Sequence, residues 1–223
     1  MPIFATLFFY GLPDSVQQNG LVQFLPQVLA YLAIGLWARH NTHFLHRFGL
    51  VPGRRWSGIG WGCGVGLTLG ICNTIMILWV VPALGGDISF LKETPHAQVP
   101  TLIMVPWGIL LIAIMVEINF RGFLLGRLVA LGSSSPDSRK MSPHSSDPPS
   151  MTARTAAAIG TSSLVFAFDP FMVMTFRHLH WIAVWDGFIW GWMRIRLRNL
   201  YPVITAHALE VIIIYLSVKA ALT

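Results

Sequence analysis

The chain has 223 residues, of which 54% are hydrophobic and only 11% charged, with a formal net charge of +6. A soluble domain carries about 25% charged residues, so this composition excludes an ordinary globular protein and indicates a polytopic membrane protein. The basic excess does not indicate a nucleic-acid partner, because the arginines stand at the ends of apolar runs, where they orient spans across a bilayer.

Residues 1–12 are apolar but short and lack a basic n-region, so we expect an interfacial or partly inserted segment rather than a cleavable signal. Apolar runs then predict about six spans, at 20–37, 57–81, 100–131, 154–169, 170–193 and 200–218. Cys63 and Cys72 lie nine apart in the second run and form no metal or redox spacing. The third run would reach about 48 Å as one helix, longer than the hydrocarbon core of about 30 Å, so it must tilt or project. Asp169-Pro170 pairs a favoured N-cap with a favoured first helical residue, which predicts one helix ending and another beginning. Gly187 and Gly191 form a small-x-x-x-small pair that suits close helix packing. Residues 132–152, rich in Ser and Pro, read as a disordered connector. The expected organisation is N-terminal membrane helices over 1–99 and a core over 100–218.

Charge bias orients the spans. With the N-terminus outside, 12 of the 15 Lys and Arg fall on or beside cytoplasmic loops, leaving only Lys92, Arg177 and Lys219 outside.

Inside these runs stand residues that membranes tolerate poorly. Glu117 and Arg121 are four apart in the third run and share a helical face. They suit either a structural ion pair or a functional site, the default reading of intramembrane ionisable residues. His207 and Glu210 are three apart and suit a site or a local hydrogen bond. Of His178 and His180, at most one can face a site, and Asp169 reads as a cap before it reads as a catalyst. Helical rise places Glu117, His180 and Asp169 each about 21–22 Å from the cytoplasmic ends of their spans, and His207 and Glu210 about 13–18 Å. These groups can therefore share one slab. A buried carboxylate can act as a general base, and imidazoles can relay protons or stabilise an oxyanion. Glu, His and His around a water suit peptide hydrolysis, and the same donors would also hold zinc with an open position. Neither His-Glu-x-x-His nor Gly-x-Ser-x-Gly is present. His40, His43 and His46 read as interfacial.

Val116-Glu117-Ile118-Asn119-Phe120-Arg121-Gly122 resembles the Glu-Glu-x-x-x-Arg-Gly motif of the CAAX prenyl protease and bacteriocin-processing (CPBP) intramembrane proteases. Residues 161–168, the 187–191 segment and Tyr201-Pro202-Val203-Ile204-Thr205-Ala206-His207-Ala208-Leu209 resemble the family's remaining motif helices, and the likeness covers residues 100–215. The resemblance implies an all-α bundle with a four-helix catalytic core. It also implies a water activated by the first Glu and the His of Phe-x-x-x-His, and an oxyanion held by a later His and an Asn four residues on. Here Val116 stands at the first Glu and Glu117 at the second, while His207 matches the later His and Val211 the Asn. The Phe-x-x-x-His register admits Phe166 with Pro170 or Phe176 with His180. The expectation is an integral membrane endopeptidase, in a plasma or bacterial inner membrane, acting on a membrane-bound or lipidated protein or peptide. Glu117, Arg121, His180, His207 and Glu210 form its variant site, with zinc possible. The alternatives are a catalytically silent scaffold or immunity protein, and a proton or metal carrier.

Overall fold

The computed structural model describes residues 2–132 and 151–222; most of the stretch read as a disordered connector lies outside them. The described residues are helical and contain no strand, as expected of an all-α membrane bundle. The helices that matter below are α1 (Pro2–Tyr10), α2 (Leu25–Arg39), α3 (Arg55–Ile75), α4 (Leu110–Glu117), α5 (Leu125–Gly132), α6 (Ala153–Ala167), α7 (Pro170–Phe176), α8 (Ile182–Leu197) and α9 (Tyr201–Leu222).

Among the described residues three helical stretches are long and apolar enough to cross a bilayer: Phe44–Ala83, Thr101–Gly132 and Tyr201–Leu222. Ala153–Ala167 and Pro170–Leu179 pass the same test only together, as a pair bent by 54°. Two expected spans come out short. α2 has 15 residues and α8 has 16, or about 22 and 24 Å of helix. The expected single span over 170–193 is corrected: α7 stops at Phe176, and Arg177 adopts a left-handed φ of 47°. A 3-10 turn, Arg177–Leu179, then precedes α8. Apolar residues on both sides of this break conceal it in a hydropathy reading.

The break at Asp169 occurs as the dipeptide predicts. The Asp169 carboxylate accepts a hydrogen bond from the Phe171 backbone N–H at 3.1 Å, and Pro170 takes the first helical position of α7. Thr152 caps α6 in the same way by accepting from Thr155 N–H. The long third run also departs from one regular rod, because it winds through two π-helical turns, Met104–Ile109 and Ile118–Leu124. Pro106 lies in the first and cannot donate a backbone hydrogen bond, which disrupts the ordinary α ladder there.

The chain divides into two compact units, Met1–Leu50 with Ile118–Asn199, and Val51–Glu117 with Leu200–Thr223. In the first, α5, α6 and α8 pack through Leu125, Ala158 and Ile159, with Leu128, Val129 and Ile195 around them. α6 and α8 meet where side chains are small: a Cβ on Gly187 would lie 2.8 Å from Ser163 Cβ, and one on Gly191 would lie 2.8 Å from Ile159 Cγ2. The close-packing reading of that glycine pair therefore holds.

The second unit is built on α3 against α9, and glycine sets their separation. A Cβ on Gly62 would lie 2.5 Å from the Pro202 carbonyl oxygen, and one on Gly66 would lie 2.6 Å from that of Ala206. One on Gly70 would lie 2.8 Å from Ile213. α3 thus lies close on α9 along three successive turns, against backbone oxygens at Gly62 and Gly66 and the Ile213 side chain at Gly70, the usual use of small residues between membrane helices.

Candidate active site

In the second unit two buried ionisable side chains meet. Glu117 closes α4 and is wholly buried, and His207 lies in the second turn of α9. α4 packs on α9, and there Glu117 Oε1 lies 2.7 Å from His207 Nδ1. A bare carboxylate in such surroundings is costly, and a hydrogen-bonded imidazole offsets much of that cost. The distance is that of a charge-assisted bond. With Glu117 ionised, the Nδ1–H of His207 is the donor.

One turn further along α9, Glu210 forms a second buried pair. The Asn73 side-chain amide, near the end of α3, donates to Glu210 Oε1 at 2.7 Å, and neither residue is more than 2% exposed. The glycine contacts of α3 on α9 place this amide at the level of Glu210. Asn73 was not among the residues singled out from the sequence. Its signal is a lone amide inside the 57–81 run, and a search for charges passes over it.

In the first unit Arg121 is almost fully buried, with its guanidinium carbon 4.3 Å from the Phe166 ring centre and 5.0 Å from that of Trp190. Stacking on two rings suits the flat, weakly hydrated guanidinium. The π-helical turn that carries Arg121 is pinned to α6 by the Ser162 hydroxyl, which donates to the Phe120 carbonyl at 3.0 Å. π winding leaves a ladder carbonyl available for such a bond.

His180 follows the 3-10 turn and is half-buried, its ring edge-on to Phe168 at 5.1 Å and its Nδ1 hydrogen-bonded to the Arg177 carbonyl. A ring that donates through Nδ1 presents Nε2 as an acceptor. His178 is exposed. Asp169 serves as the cap expected of it, and its Oδ1 also accepts from the Gln27 amide at 2.9 Å. Asp186 is buried within α8.

Of the five residues expected to form the site, the second unit joins Glu117 directly to His207 and sets Glu210 one turn away. Arg121 and His180 belong to the first unit, each packed against aromatic rings there. Zinc, which the residue types leave open, calls for three protein donors. Among the described residues no group of three or more His, Cys, Asp or Glu is gathered to hold a metal. Glu117 with His207 supplies two donors, and Asn73 engages one oxygen of Glu210; the mechanism runs no step through zinc.

A family model described as Type II CAAX prenyl endopeptidase Rce1-like matches residues 98–213. That stretch contains Glu117, Arg121, His180, His207 and Glu210. No curated protein and no solved structure matches the chain.

Proposed function

The chain belongs to the Rce1-like family of type II CAAX prenyl endopeptidases, and on that basis we propose that it is an intramembrane endopeptidase in which Glu117 and His207 activate water. The observation that carries this reading is the 2.7 Å bond between two buried ionisable groups on separate helices of the matched region. A structural acid deep in a membrane protein needs only a neutral hydrogen-bond donor. An imidazole adds a second nitrogen that can pass on a proton.

In this reading the Glu117 carboxylate takes a proton from water as the water oxygen attacks the scissile carbonyl carbon. His207 holds the carboxylate in place through its Nδ1–H. The carbonyl becomes an oxyanion. When that intermediate collapses, the C–N bond breaks and the proton passes to the leaving amine, which restores Glu117. Arg121 and His180 keep structural roles in the first unit, the one stacked between two rings and the other hydrogen-bonded to the Arg177 carbonyl. The substrate class is a membrane-bound or lipidated protein or peptide, in keeping with the family description.

Val116 and Val211 stand where the family motif has an acid and an amide, and they favour a second reading, a catalytically silent membrane scaffold. One experiment separates the two. Purified protein in nanodiscs is offered a prenylated peptide ending in a CAAX tetrapeptide, and cleavage is followed by mass spectrometry. Cleavage that Glu117→Gln lowers by at least about 100-fold, the usual contribution of a general base, supports the peptidase. A folded Glu117→Gln variant that cleaves like the parent removes Glu117 as the base. A parent that leaves the peptide intact supports the scaffold.

A further inference from the structure

Three arginines of the first unit gather where α2 and α8 end and α5 begins. Arg127 lies over Trp37 at 4.7 Å, and Trp37 in turn stacks on Phe48 at 5.3 Å. Arg47 projects from the short helix Phe44–Phe48 that follows α2; it donates to Asn41 Oδ1 at 2.7 Å, and the Asn41 amide caps α2 at the Trp37 carbonyl. Arg47 and Arg127 are close enough to repel each other. Arg194, near the end of α8, lays its guanidinium over Gly49, where an added Cβ would lie 2.7 Å from its central carbon. Gly49 has a φ of 82°, so its missing side chain and its backbone conformation serve the same close approach.

These groups are poorly compensated. Arg194 reaches only the Arg47 carbonyl, at 3.4 Å, and its Nε is shielded from solvent with no hydrogen-bond partner among the described residues. No carboxylate of the described residues pairs with any of the three. Arginines that serve only to orient a span can extend into water. These are instead drawn together on an aromatic floor, where like charges repel and a shielded N–H goes unused. A bound anion relieves both costs. Guanidinium groups recognise phosphate oxygens through paired, charge-assisted hydrogen bonds.

We propose that Arg47, Arg127 and Arg194 form a site for the phosphate of an anionic phospholipid. Lipid is favoured over soluble phosphate by location. The cluster sits at the arginine-rich ends of the spans, the level of the cytoplasmic headgroups, with a tryptophan beneath it as in an interfacial belt. Basic pockets between helix ends on that side are where anionic headgroups bind.

The test uses the full chain in phosphatidylcholine nanodiscs titrated with phosphatidylglycerol, with bound lipid counted by native mass spectrometry and unfolding followed by heating. Arg47→Gln with Arg127→Gln is expected to weaken phosphatidylglycerol binding about 30-fold, at roughly fivefold per arginine near an anionic headgroup. Arg194 is left intact because its packing on Gly49 supports the fold. Arg55→Gln, an exposed arginine of the other unit, is the control and should bind as the parent does. Inorganic phosphate added to phosphatidylcholine nanodiscs should leave the melting temperature unchanged. Equal losses in the control and the double variant would reduce the effect to general surface charge and overturn the site. Stabilisation by inorganic phosphate equal to that by phosphatidylglycerol would overturn the lipid assignment, and so would a parent that does not prefer phosphatidylglycerol.

Discussion

Replacing Gly66 by alanine adds one methyl group, and the structure says what that methyl meets. It would lie 2.6 Å from the Ala206 carbonyl oxygen and 2.9 Å from the Ala206 Cα, which are backbone atoms with no rotamer to change. Ordinary van der Waals contact begins near 3.4 Å, so α3 and α9 must part by about 0.8 Å or bend, at the usual overpacking cost of about 1–3 kcal/mol. The same displacement would stretch the 2.7 Å bond from Asn73 to Glu210 to about 3.5 Å, the limit beyond which a hydrogen bond is lost. A buried polar group left unsatisfied adds about 1–3 kcal/mol. The expected loss is therefore about 2–6 kcal/mol. Gly64→Ala is the matched control: nothing lies within 4 Å of its Cβ position, so it should gain up to about 1 kcal/mol in helix propensity. Unfolding free energies from SDS titration of the two purified variants decide the matter. If Gly66→Ala is as stable as Gly64→Ala, the backbone contact described here does not exist.

Other perturbations probe the polar pairs. Asn73→Leu should cost about 1–3 kcal/mol by stripping Glu210 of its amide, and adding Glu210→Leu should recover part of it, because the bond between the two is then absent from both sides. A double-mutant cycle in the same titration would expose additive losses, which would deny the coupling. Arg121→Lys keeps the charge but gives up stacking on Phe166 and Trp190; a loss of about 1–2 kcal/mol is expected, and an unchanged unfolding curve would count against the ring contacts. Burial holds the His96 imidazole, in the short helix Pro95–Gln98 between spans, below its usual pKa. The folded state therefore binds fewer protons there than the unfolded state. The stability that His96 contributes is complete above about pH 6.5 and falls as the pH drops through that value. His96→Gln should flatten the acid side of a stability–pH profile, and a profile of unchanged slope would contradict that.

The parts of the molecule that were legible are those where a residue is expensive in its setting. Glu117 and His207 stand out from sequence alone because ionisable groups in an apolar run need a reason, and the structure joins them. Asp169-Pro170 was legible because capping is local chemistry. The glycine contacts of α3 were not legible: Gly58, Gly60, Gly62, Gly64, Gly66 and Gly70 follow one another at spacings of two and four. The pattern does not say which of them face a neighbour. Asn73 escaped because an uncharged amide hardly interrupts hydropathy, and its importance comes from a partner 137 residues away. The π-helical turn around Arg121 has no signature at a 3.6-residue period, so the direction of that side chain came only with the backbone. The break at Arg177 was hidden because apolar residues continue on both sides of it.

Membranes differ in thickness, and a span that is too long or too short for its host adapts by tilting. At Gly62, Gly66 and Gly70 α3 sits so close on α9 that an added Cβ would lie 2.5–2.8 Å from an α9 atom, so the two must lean as one rigid blade. Asn73, His207 and Glu210 then keep their mutual spacing when the host lipid is exchanged for a shorter- or longer-tailed one. The chemistry of that blade is insulated from the changing hydrocarbon depth around it.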